Sequence, residues 1–323
     1  VKRRDFITLV GGAAGWPLAA RAQQSMPVIG FLSSASPDLF AIRLRAFRQG
    51  LKEAGYAEGQ NVAVEFRWAE NDRLPALAAD LVHRQVVVIV AAGIPSALAA
   101  KAATTTIPIV FEVSADPVEV GLVASLARPG GNLTGVTNLN AELGAKRLDL
   151  LHELVPTATV IALLVNPTNP TGVESFLRGL QPTARALGLQ LHILHASTEY
   201  DFDKVFTTLV QLRAGGLVIM PDIFFNARRE QLAALAVHHA VPAIYQYREF
   251  AAAGGLMSYG TSDTEFYGLF GTYAGRILKG EKPADLPVQQ VTKVELFINL
   301  KTARMLGLTI PFALLGRADG VIE

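Results

Sequence analysis

From residue 28 onward the chain alternates short uncharged apolar runs with longer amphipathic stretches. Val28 to Leu32 and Val86 to Ala92 carry no charge and are rich in Val and Ile, as expected of strands buried on both faces of a parallel sheet. Val62 to Trp68 alternates as a third strand, and Pro108 to Ser114 is a fourth. Between them, Phe40, Leu44, Phe47 and Leu51 fall at helical spacing and Gly55 stops that helix. Ser36-Pro37 is read as its N-cap and first-turn proline. Leu74 to His83 and the Ala-rich run Ala97 to Ala103 are further helices. Such βα repetition predicts a parallel sheet with helices on both faces.

Arg128 to Gly135 interrupts the rhythm with the densest turn chemistry in the chain, and a second βα series follows. After a helix at Ala141 to Leu154, strands are expected at Val160–Val165, Leu189–His195, Gly216–Pro221, Ala243–Tyr247 and Leu256–Gly260. Ser262 with Glu265 reads as a capping box opening a helix that carries Phe266, Leu269, Phe270, Tyr273 and Ile277 on one face. A strand at Glu295–Leu300 and a short helix end the chain. The expected fold is α/β, two Rossmann-like lobes joined by three crossover segments. The lobes are assigned to residues 26–138 plus 256–281 and 139–255 plus 282–323, and rotation is expected about Val136–Asn140, Ala252–Leu256 and Gly280–Pro287.

Composition narrows the chemistry. The 323 residues are half hydrophobic and 18% charged, enough apolar material for two cores. The absence of cysteine removes disulfides, thiolate metal sites, thiol nucleophiles and lipidation on Cys. A net charge of +1 gives no support for nucleic-acid binding. The six His are scattered without metal-ligand spacing, and no GxSxG, Walker A or HExxH pattern occurs. No catalytic residue, metal or cofactor is assigned.

The first 22 residues read as an export leader. Lys2-Arg3-Arg4-Asp5-Phe6-Ile7 is a charged segment with a twin arginine, and Ala20-Arg21-Ala22 offers a small-x-small cleavage pattern. The stretch between is too short and Gly/Ala-rich for a membrane span. Cleavage after Ala22, with no cysteine at the cut, predicts a free periplasmic protein, expected to be a monomer.

In an open α/β sheet, ligands sit beyond the carboxyl ends of the strands. From the first series those ends supply Ser33, Ser34, Gly93, Pro95, Ser96, Ser114, Ala115 and Asp116; from the second, Asn169, Asp222, Tyr245, Tyr247 and Tyr259. Gly93 to Ser96 opens a helix, where unpaired N–H groups and the dipole favour a carboxylate. An ordinary βα turn with a capping Ser has the same sequence. Asp222 suits a ligand ammonium or the cap of its own helix, and Asp116, before Pro117, also suits a turn.

Three stretches carry a family resemblance: RPGGNLTGV at Arg128 to Val136, LKGEKPADLPV at Leu278 to Val288, and INLKTARMLGLTIP at Ile298 to Pro311. They resemble the type I periplasmic substrate-binding proteins of ABC importers, in the branch of bacterial tryptophan- and phenylalanine-binding proteins, over nearly the whole chain after the leader. The resemblance implies two lobes closing on a small carboxylate without catalysis, and delivery to an ABC permease in the inner membrane; the alternatives are a secreted enzyme using the same cleft and the ligand-sensing domain of a signalling system. It also implies that the Gly93–Ser96 loop takes the carboxylate, that Ser114–Asp116 adds hydrogen bonds, and that Asp222 faces an ammonium. Ile223-Phe224-Phe225 departs from the polar residue that often follows this Asp in relatives, leaving open an amino acid or a plain aromatic or aliphatic acid.

Overall fold

A computed structural model describes residues 26–323; the expected leader lies outside the described residues. The first series runs β1 (Val28–Ser33), α1 (Ala41–Glu53), β2 (Ala63–Trp68), α2 (Leu74–His83), β3 (Val88–Ala92), α3 (Ile94–Ala103), β4 (Ile109–Val113) and β5 (Leu133–Thr137). Then follow α4 (Gly144–Leu154), β6 (Val160–Val165), α5 (Pro170–Ala186), β7 (Gln190–His195), α6 (Asp201–Gln211), β8 (Gly216–Ile219), α7 (Ile223–Ala227) and α8 (Arg229–His238). The rest comprises β9 (Ala243–Tyr245), α9 (Arg248–Ala252), β10 (Met257–Gly260), α10 (Asp263–Leu278), β11 (Gln289–Gln290), β12 (Glu295–Asn299), α11 (Leu300–Met305), α12 (Phe312–Leu315) and β13 (Gly320–Ile322).

Two sheets result, in the orders β11-β5-β4-β3-β1-β2 and β13-β12-β10-β9-β8-β6-β7. The first is parallel throughout, and in the second only the β10–β12 pair is antiparallel. Alternate residues of one strand reach different helical layers. Val88 and Val90 join the core under α1 and α10, whereas Ile89 and Ala91 join the one under α2 and α3. This two-sided burial explains why the central strands read as uninterrupted apolar runs.

The α1–α10 layer depends on backbone approach. A Cβ on Gly50 or on Gly271 would overlap the carbonyl oxygen of Gly268 or Phe47, respectively, on the facing helix. At the other end of this contact, Arg43 of α1 meets Asp263 of α10 through two contacts of 3.1 and 2.9 Å, with both side chains buried. Ser262 caps α10 by accepting from the Glu265 N–H. Ser36, by contrast, makes no cap: a 3-10 turn at Asp38–Phe40 precedes α1, and Ser36 is exposed.

The chain passes between lobes three times, at places that differ from the expected ones. Leu133 to Gly135, read as turn, belongs to β5. Gly135 is needed there because a Cβ would strike the Phe111 carbonyl on the neighbouring strand. The first passage is therefore residues 138–143, where Leu139 takes φ 49°. β10 pairs with β9 and β12, so the second passage follows it at 261–262 instead of preceding it. Gly280 to Pro287 stays on the first lobe, where Thr134 Oγ1 donates to the Leu286 carbonyl (2.6 Å) and Tyr273 OH to that of Pro287 (2.7 Å). β11 then pairs with β5, and the third passage is 291–294.

Candidate functional site

The carboxyl ends of the parallel strands of both sheets face each other across a cleft, and the loops leaving them line an inner cavity. Ser34 follows β1, Gly93 to Pro95 follows β3, and Ser114 and Ala115 follow β4. The opposite wall carries Asn169, Pro221, Asp222, Ile223 and Asn226. The inner space is about 20 Å³, room for a single water, while a wider cavity of about 890 Å³ lies outside it and shares Ser34 and Pro95. Trp68, Tyr200, Phe224 and Arg228 border this outer space. The lobes are closed. Asn71 Nδ2 donates to Thr168 Oγ1 across the mouth (2.9 Å), Arg178 pairs with Glu119 (3.1 Å), and Ile223 joins the hydrophobic core of the first lobe.

Gly93 sits where both backbone and space demand glycine. Its φ is +86°, and a Cβ would lie 2.8 Å from Ile223 Cδ1 on the other lobe. Its N–H, expected to be available to a ligand, donates instead to Glu112, at the carbonyl oxygen (2.9 Å) and at Oε2 (3.0 Å). The donors remaining at the start of α3 are the first-turn amides of Ile94 and Ser96, Pro95 having none. The Ser96 hydroxyl is buried without a partner and lies off the cavity wall.

Asp222 caps α7 by accepting from the Phe224 N–H (2.9 Å), and also accepts from Asn166 Nδ2 (3.0 Å) and Asn169 Nδ2 (2.8 Å). Asn169 in turn caps α5. Burial raises the Asp222 pKa, opposed by the Asn169 and Asn166 amides and the Phe224 N–H. The cap therefore holds a carboxylate on the cavity wall, so the two sequence readings of Asp222 are compatible in one geometry.

Other expected residues fall outside the inner cavity. Ser33 is buried and its hydroxyl accepts from the Ala35 N–H. Asp116 makes a turn, with Oδ1 accepting from the Val118 N–H at 2.7 Å. Tyr245 stacks on Phe250 in the second core, ring centroids 4.7 Å apart. Tyr259 lies half-buried on β10, where Arg147 donates to its carbonyl (3.1 Å) and also to that of Asn140, joining the first passage to β10. Tyr247 has a bridging place: its hydroxyl accepts from Asn138 Nδ2 (2.9 Å) and shares a 3.5 Å hydrogen bond with Ser114.

Glu112 and Asn226 are the wall residues with polar side chains that strand-end reading missed. Glu112 is buried in an apolar strand, with Tyr267 OH donating to Oε2 (3.1 Å). Its single charge in the run Ile109–Val113 was the available signal. Burial pushes this carboxyl up to about 7; Arg43 pulls it down, Asp263 pushes it up, and the Tyr267 and Gly93 hydrogen bonds pull it down. Among the described residues no helix is long and apolar enough to cross a membrane.

The family model described as ABC transporter substrate binding protein matches residues 27–322. A curated relative, the tyrosine-binding protein of Clostridioides difficile, is 28% identical over 265 residues, 81% of this chain and 75% of that one. A conserved domain protein from Vibrio cholerae superposes with TM-score 0.82 at 26% identity, covering 92% of this chain and 99% of the other. An ABC domain from Streptococcus pneumoniae, solved in complex with L-Trp, gives 0.80 at 24% identity, covering 92% and 100%.

Proposed function

The chain belongs to the family of ABC transporter substrate-binding proteins, and we propose that it captures a small amino-acid-like carboxylate in the periplasm and delivers it to an ABC permease. The observation carrying this reading is the pairing across the cleft of two unlike walls. Asp222 offers a buried carboxylate on one, suited to an ammonium; the α3 start with Ser34 and Ser114 offers donors on the other, suited to a carboxylate. The tyrosine-binding relative and the L-Trp-bound neighbour support an aromatic amino acid, with Trp68 and Phe224 in the outer space available to its ring. Export rests on the twin-arginine leader read from the sequence.

Calorimetry against aromatic and branched amino acids and their deaminated analogues tests the reading. L-Tyrosine is the first probe. Asp222→Asn is expected to weaken an amino acid by roughly ten- to a hundredfold, the worth of a hydrogen bond to a charged group, and to leave the analogue nearly unchanged. Equal loss for both would make Asp222 structural only, and binding of neither by the unaltered protein would defeat the receptor reading.

Closure has its own test. Gly93→Ala places a methyl against Ile223, and overpacking of about 1–3 kcal/mol in the closed form alone weakens binding roughly tenfold. Small-angle scattering should show the unaltered protein contracting with ligand and the variant contracting less. Equal contraction with equal affinity would mean that the Gly93–Ile223 contact plays no part in closing.

A further inference from the structure

Glu112 and Asp222 are the two ionisable side chains on the inner cavity wall among the described residues, and both are acids. The cation that acts on Glu112, Arg43, is already bound to Asp263. An ionised Glu112, an ionised Asp222 and a ligand carboxylate would place three negative charges in a closed, desolvated space. The ligand's ammonium neutralises one of them. Such a surplus is relieved by protonation.

The local geometry says where the proton goes. Glu112 Oε2 accepts from both Gly93 N–H and Tyr267 OH, whereas Oε1 has no hydrogen bond among the described residues. A proton on Oε1 leaves both existing bonds intact and makes Oε1 a donor. The charged and titratable groups around Glu112 are Arg43 from α1, Asp263 and Tyr267 from α10, and Tyr247 after β9. Burial is the largest influence on Glu112; Arg43 opposes it and Asp263 reinforces it.

We propose that Glu112 is a specificity-determining residue that meets the ligand carboxylate as a neutral acid, so that capture of each carboxylate solute takes up one proton from solvent. Release to the permease returns that proton. The inference rests on the receptor reading above and deepens it. A Glu112 carboxylate paired with the ligand ammonium is the opposite arrangement, with the opposite pH dependence. In the closed form burial is the largest of the influences that place this carboxyl at about 7, and opening to solvent lowers it, so closure on a ligand draws a proton in and opening lets it go.

The test is calorimetry of L-tyrosine, L-tryptophan and 3-phenylpropionate at pH 6, 7 and 8, in buffers of different ionisation enthalpy, on the unaltered protein and on Glu112→Gln. Expected are uptake of close to one proton at pH 8 and an affinity at least about tenfold lower at pH 8 than at pH 6, as linkage to a group titrating at about 7 or below before the ligand binds requires. Glu112→Gln, whose amide keeps a donor and an acceptor, should bind with nearly flat affinity and supply the baseline for the ligand's own titration. Proton release, affinity that is flat or rises with pH in the unaltered protein, or loss of binding in the variant at every pH despite a native circular dichroism spectrum overturns the proposal. Should the variant not fold, the proton count of the unaltered protein at pH 8 decides alone. Failure of all three probes to bind defeats the receptor reading itself, a result distinct from binding without proton uptake.

Discussion

Replacing Arg43 by Met is expected to lower the unfolding free energy by about 3–5 kcal/mol, because it leaves the Asp263 carboxylate buried and uncompensated. The two side chains are each about 3% exposed, and Arg43 also lies over the Phe40 and Tyr267 rings at 5.4 and 5.6 Å. Burial works against the guanidinium charge, yet Asp263 together with Tyr267 and Tyr247 more than offsets it and holds the Arg43 pKa above its ordinary value. The double variant Arg43→Met, Asp263→Leu should recover much of the loss, since removing both charges removes the desolvation cost too. Thermal and urea melts check this, with a drop of roughly 10 °C for the single variant. A single-variant loss below about 1 kcal/mol would show water reaching the pair.

Gly271→Val is expected to cost about 3 kcal/mol or more, at the upper end of overpacking because the obstacle is backbone. The added carbon would overlap the Phe47 carbonyl, and a helix carbonyl cannot rotate aside as a side chain can. Relief requires α10 to move off α1, which loosens the aromatic contacts of Phe270 with Phe47 and Phe31 at 5.7 and 6.2 Å. Gly280→Ala, at the end of the same helix, meets nothing within 4 Å but sits at φ +95°, so its cost is backbone strain of about 1–3 kcal/mol. Melts of the two side by side separate crowding from strain. A Gly271→Val protein as stable as the parent would refute the tight α1–α10 contact.

The fold was legible wherever the burial pattern was regular, on both faces of a strand or along one face of a helix. Leu74–His83 and Val160–Val165 have the bounds their apolar patterns predict, and the aromatic face of α10 is where its spacing puts it. The chain passages were not legible for a physical reason. Gly135 resembles turn chemistry in sequence, but its missing Cβ serves a strand neighbour, and β11 is too short for any periodicity to reveal. At the site, loops beyond strand ends could be enumerated, and Ser34, Gly93, Pro95, Ser114, Ala115, Asn169 and Asp222 do line one cavity. Whether the hydroxyl of Ser96 or the rings of Tyr245 and Tyr259 turned toward it depended on packing that no spacing rule contains. Glu112 escaped because a charge inside an apolar strand reads as an irregularity until the strand's neighbours are known.

The threefold passage of the chain also governs how this protein must be born. β5 remains an open edge until Gln289 and Gln290 arrive, and the face carrying Phe31 is covered by α1 alone until α10 is made, after all of β6 to β10. Neither half can be finished early and set aside while the other forms. A nascent or truncated chain ending near residue 260 would present one half-covered aromatic face and one sheet still short of β12, the kind of surface that holdase chaperones bind and that aggregation recruits. Long-range pairings of this sort slow folding.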